Sequence, residues 1–174
     1  MSHSEEYRAM RSQFTEMCIA MVPRFLCEER RQHAPAEFDA FCGNPKVVKV
    51  GMAPDGFIFA TTPLVMAGDN GLRWAGKFVV KIFTTSVTIQ CRSLSRLAID
   101  EYPHPHVQAS SLTPCLGSNA NVVAKLRGDG KLAQLGLFMI SFLEEYSEAS
   151  AYDGSVREWP RLTPEEVEKW KSGI

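Results

Sequence analysis

Between Lys46 and Cys91 the chain alternates short runs of β-branched and aromatic residues with tight-turn sequences, and that rhythm is the strongest limit on its fold. The run Lys46-Val47-Val48-Lys49-Val50-Gly51-Met52 leads into Ala53-Pro54-Asp55-Gly56, where proline fixes φ and glycine is expected to take a positive one. Phe57-Ile58-Phe59-Ala60-Thr61-Thr62 follows, so the sequence predicts a hairpin. Gly68-Asp69-Asn70-Gly71 supplies another turn before strands at Trp74 to Phe83 and Ser86 to Cys91. Connections this short pair strands antiparallel, because parallel neighbours need a crossover of a dozen or more residues. The expectation is a four-stranded meander.

Helical patterning stands on both sides of it. Tyr7, Met10, Phe14, Met17, Cys18, Met21, Phe25 and Leu26 recur at three- and four-residue spacing, which predicts a helix from about Ser4 to Arg31, kinked or divided at Pro23. Cys18 and Cys27 belong to that apolar pattern and read as small core residues. The charge run Glu28-Glu29-Arg30-Arg31 reads as a solvated helix end, and Pro35 and Cys42-Gly43-Asn44-Pro45 as a loop. Beyond the meander, Ser93 to about Gly128 reads as irregular. Leu132, Leu135, Met139, Phe142, Leu143 and Tyr146 then mark a central helix over Lys131 to Ser147. Thr163-Pro164-Glu165-Glu166 has the form of a capping box, opening a short helix to about Lys171 in a tail that starts near 161. The class is α+β, in a single domain over 1–174.

Composition narrows the function. With 45% hydrophobic residues the 174-residue chain can bury a substantial core. A formal net charge of −1 gives no electrostatic footprint for nucleic acid or an anionic membrane. The N-terminal residues lack the basic flank and apolar run of a secretion signal, and no stretch approaches membrane-spanning length, so a cytoplasmic protein is expected. The five cysteines, Cys18, Cys27, Cys42, Cys91 and Cys115, form no C-x-x-C pair, which suggests neither a disulfide framework nor a zinc ribbon.

Chemistry concentrates in the irregular segment. His104-Pro105-His106 is followed nine positions later (115 minus 106) by Cys115, in Pro114-Cys115-Leu116-Gly117. Cysteine attacks as its thiolate, and imidazole is the side chain best suited to assist near neutral pH. Cys115 thus reads as a nucleophile on an exposed loop, or as a core cysteine after a turn. A zinc site built from His104, His106 and Cys115 lacks an obvious fourth ligand, so no metal is assigned.

The element order together with His104-Pro105-His106 and Cys115-Leu116 resembles the ubiquitin-conjugating enzyme family, whose members carry a His-Pro-Asn tripeptide and, after a short loop, a catalytic cysteine in a Cys-Leu sequence. The Gly76-Lys77-Phe78-Val79-Val80-Lys81-Ile82 strand also looks like that family's glycine-led central strand. Layout agrees over roughly residues 4 to 150, detail only from His104 to Gly117. The His-Pro-His form followed by Cys-Leu-Gly looks most like divergent bacterial conjugating-enzyme and RWD-like proteins, some of whose systems act in phage defence. The resemblance implies a cysteine-thioester transferase for a ubiquitin-like modifier, working with an adenylating activating enzyme and an acceptor protein and needing no cofactor. It implies Cys115 as the thioester carrier, His104 as a loop brace, His106 at the position of the family's asparagine, and Asp153 where members often keep an acidic residue that helps activate the incoming amine. From the residues alone, in Tyr152-Asp153-Gly154, Asp153 reads first as a turn aspartate. The family's Tyr-Pro-x-x-Pro-Pro stretch is absent, Leu97 to Tyr102 filling its place, and Gly117 stands where many members are acidic. The other reading is a catalytically silent relative that only binds a modifier or partner protein.

Overall fold

A computed structural model describes residues 3–67, 71–95, 102–146, 151 and 159–172. Asp153 and positions 68–70 of the expected turn lie outside them. The architecture is α+β: helices, a four-stranded antiparallel sheet, then further helices. Helix α1 spans His3–Ala20 and α2 spans Cys27–Cys42. Strands β1 (Val47–Ala53), β2 (Gly56–Thr61), β3 (Leu64–Met66), β4 (Arg73–Gly76), β5 (Phe78–Phe83) and β6 (Ile89–Ser93) follow. Helices α3 (Ala120–Gly128), α4 (Leu132–Glu144) and α5 (Pro164–Ser172) complete the order. Among the described residues no helix is long and apolar enough to cross a membrane.

The expected first helix is two. Pro23 adopts an extended conformation, φ −58° and ψ 153°, ahead of a 3-10 turn at Arg24–Leu26, and α2 folds back along α1. Arg31 meets Glu16 at 3.4 Å near the turn, while Tyr7 and Arg11 reach Asp39 at 2.9 Å near the open end. Pro35, expected in a loop, sits inside α2. A proline there costs about 3 kcal/mol, which burial of Phe38 and Phe41, at about 2 kcal/mol or more each, offsets. Arg30, expected in water, is buried and held by Glu37 at 3.0 Å.

The main sheet runs β1-β2-β5-β6, all antiparallel, as the meander requires. Alternation decides its faces: Phe57 and Phe59 of β2, Phe78, Val80 and Ile82 of β5, and Ile89 and Cys91 of β6 point into the core. There the rings of Phe14, Phe38, Phe41, Phe57 and Phe59 form a chain of tilted and edge-on contacts 5.0–5.8 Å apart. Gly56 is needed for closeness rather than for a positive φ, since a Cβ there would lie 2.5 Å from the Ile82 carbonyl oxygen. The strand expected over Trp74 to Phe83 breaks at Gly76, whose φ of 93° turns the chain out of a separate β3–β4 ribbon and into the sheet.

Helix α4 is central, with Leu132, Leu135, Met139, Ile140 and Leu143 buried against the sheet and α2. Gly136 lets α2 approach: a Cβ would lie 2.6 Å from Phe41 Cε2 and 3.0 Å from its Cζ. Gly136→Ala is therefore expected to cost about 1–3 kcal/mol, read as a lowered denaturant midpoint. A variant as stable as the parent would mean that the α2–α4 seam is looser than drawn. At the tail, Thr163 N–H donates to Glu166 Oε2 at 2.7 Å and Glu166 N–H to Thr163 Oγ1 at 3.2 Å, closing the expected capping box.

Candidate active site

The segment from His104 to Cys115 is ordered by its own backbone. Val107 N–H donates to the His104 carbonyl at 2.9 Å, Gln108 N–H to Thr113 at 3.0 Å, and Leu112 N–H back to Gln108 at 2.9 Å. Val107 is fully buried and bridges both His104 and Pro114, so the loop is a closed double-back anchored on one apolar side chain. Its far end is tied to the sheet by the Cys91 N–H, which donates to the Leu112 carbonyl at 2.8 Å. Folding back brings the ends together: Cys115 N–H donates to the His106 carbonyl at 2.8 Å.

His104 is wholly buried. Its Nδ1 accepts the His106 N–H at 3.1 Å, which leaves the ring proton on Nε2, 3.1 Å from the Leu143 carbonyl at the end of α4. The ring joins the loop to the central helix. Burial, with the neighbouring His106 adding to it, pushes its pKa down to about 3, so the imidazole is neutral. Both nitrogens are engaged by backbone, which removes His104 from any zinc set. Among the described residues no three His, Cys, Asp or Glu side chains gather as a metal site.

His106 is nearly buried, its ring 5.6 Å from Tyr146, 5.8 Å from His104 and 5.9 Å from Phe142. It and the half-buried Cys115 line one cleft of about 370 Å³. Cys115 and the turn Leu116 to Asn119 line it together with Ala67, Phe142, Glu145 and Tyr146. The cysteines differ in what they can do. Burial pushes the thiols of Cys18 and Cys91 up to about 12 and raises that of Cys42, while Cys115 opens onto a polar cleft. Larger hollows flank α1; the one of about 690 Å³ is lined by His3, Tyr7, Met10, Cys42 and Val48, and there burial raises the Cys42 thiol.

The structure thus brings together His104, His106 and Cys115 and leaves Asp153 outside the described residues. It adds Ala67, Asn119, Glu145 and Tyr146 to the cleft. Only Tyr146 carried a signal, as the last member of the α4 apolar stripe; Ala67 and Glu145 reach the cleft through a tertiary contact that no local pattern announces. The long segment expected to be irregular also contains α3, whose early residues close the turn after Cys115. Compared with known proteins, the chain matches no family model, no curated protein and no solved structure.

Proposed function

We propose that the chain is a transferase for a ubiquitin-like modifier, holding it as a thioester on Cys115 and passing it to an acceptor amine within a bacterial conjugation system that has its own adenylating activating enzyme. The observation that carries this reading is the pairing of Cys115 with the buried His106 in one polar cleft, on a loop braced by His104 against the central helix. The Cys115 thiolate attacks the carbonyl carbon of the thioester on the activating enzyme, whose thiolate leaves; sulfur replaces sulfur with little change in energy. An acceptor amine then attacks the same carbon, the Cys115 thiolate leaves and the amine loses its proton. Each transfer passes through an oxyanion, which a pre-placed donor stabilises. His106 supplies an imidazole for that hydrogen bond or for the amine's proton.

The test is to incubate the protein with the modifier, activating enzyme and ATP from the same gene cluster and read intact mass. A covalent adduct that a thiol reagent reverses, mapped by peptide mass to Cys115, is expected. An unmodified protein that still binds the modifier would instead make the chain a silent interaction module. His106→Ala is expected to slow discharge of the adduct by about tenfold or more; discharge at the parent's rate would remove His106 from the chemistry.

A further inference from the structure

The β3–β4 ribbon has no counterpart in a plain four-strand meander, and its end is bonded directly to a wall of the Cys115 cleft. Ala67 N–H donates to the Glu144 carbonyl at 2.9 Å, and the Ala67 carbonyl accepts Tyr146 N–H at 3.3 Å. This parallel bridge to Glu145 meets α4 where the helix leaves a carbonyl without an internal partner. It goes with an extended Glu145, φ −102° and ψ 148°, so that Glu145 and Tyr146 turn along the cleft instead of continuing the helix. Among the described residues of β3, β4 and their connection, Ala67 alone lines the cleft, and it is exposed.

We propose that Ala67 is the size gate of this cleft, a specificity-determining position that admits slender acceptor amines to the Cys115 sulfur and excludes branched or ring-bearing ones. The inference rests on the reading of Cys115 as the carrier. A nucleophile must come within about 3–3.5 Å of the thioester carbon to react, so the width of the cleft above the sulfur limits what can arrive. Ala67 lines the same space of about 370 Å³ as Cys115 and contributes a single methyl group to it. Its position is fixed by two backbone hydrogen bonds, which a larger side chain leaves intact. Side-chain size at this position therefore changes the opening without undoing the dock.

Two measurements separate the gate from the carrier reading. In the first, native protein is alkylated with iodoacetamide or with a fluorescein maleimide, and labelling of Cys115 is followed by peptide mass, so that Cys27 and Cys42 do not contribute. Ala67→Trp is expected to slow the bulky reagent about tenfold while changing the small one by less than about twofold. Ala67→Leu should fall between, and serves if the tryptophan variant melts early. Ala67→Pro, which keeps a small side chain but removes the N–H bonded to Glu144, should loosen the wall and raise the bulky-to-small ratio. In the second, the charged protein is discharged with hydroxylamine or with a lysine-containing peptide; Ala67→Trp should spare the former and slow the latter about tenfold. An unchanged ratio between large and small reagents in the leucine and tryptophan variants overturns the gate. If no thioester forms on the parent, the carrier reading fails, and the alkylation series still decides the gate.

Discussion

Cys115→Ala is expected to abolish the reducible adduct outright, and Cys115→Ser to give a slower-forming ester that survives thiol reagents. Total loss is expected because, of the five cysteines, only Cys115 shares the cleft with His106; Cys27, half-buried at the start of α2, turns its thiol to the Pro23 carbonyl at 3.6 Å. At pH 7 a thiol whose pKa is about 12, as burial sets it for Cys18 and Cys91, is thiolate to about one part in 10⁵. Neither sulfur has a route to a partner's carbonyl carbon, both being fully buried. Cys42 lies beside Tyr7 in the α1–β1 hollow, away from His106. Serine keeps the position and the cleft but offers a hydroxyl, a far weaker nucleophile at neutral pH, whose acyl product is an oxygen ester. Intact mass before and after thiol treatment separates these outcomes. Charging of Cys115→Ala at the parent's level would refute the thioester assignment, whatever the fold.

How much of this could be read in advance depends on the range of the interaction that decides each feature. The β1–β2 hairpin, the inward faces of β2 and β5, the α4 stripe and the Thr163–Glu166 cap depend on neighbours a few residues apart, where alternation, helical spacing and turn chemistry are informative. Pro35 misled because its local cost is overridden by Phe38 packing on Phe14 of α1 and Phe41 packing on β2, interactions between distant segments. The break at Gly76 was hidden inside a continuous run of strand formers; only the separate pairing of β3 with β4 makes it necessary. In the site, His104, His106 and Cys115 were legible since they share one loop with a recognisable spacing. Ala67 and Glu145 were not, because what aims them is a backbone bridge between a ribbon and the end of α4, 78 positions apart in the chain (145 minus 67).

Removing the His104 ring should destabilise the protein by about 4 kcal/mol, roughly a thousandfold in the folding equilibrium, and should also remove most of its sensitivity to mild acid. His104→Ala leaves the His106 N–H and the Leu143 carbonyl without their partners, each costing about 1–3 kcal/mol when buried, and opens a cavity beside Phe78 and Trp159. The pH effect has a definite sign. An unfolded histidine titrates near 6.5, whereas burial holds folded His104 near 3, so below neutrality the unfolded chain binds a proton that the folded one refuses. The stability is whole above about pH 6.5 and drains away as pH falls towards 3; between pH 7 and 5 the parent should lose about 2 kcal/mol. The Asp55 and Glu166 carboxyls, held low by the Lys81 ammonium and the Thr163 N–H, titrate below that range. Urea midpoints at pH 7 and pH 5, measured for parent and variant together, check both halves. A variant that is weaker at pH 7 yet keeps the parent's loss between pH 7 and 5 would place the titrating group elsewhere, and His104 would then be a packed ring but not the neutral brace between the Cys115 loop and α4.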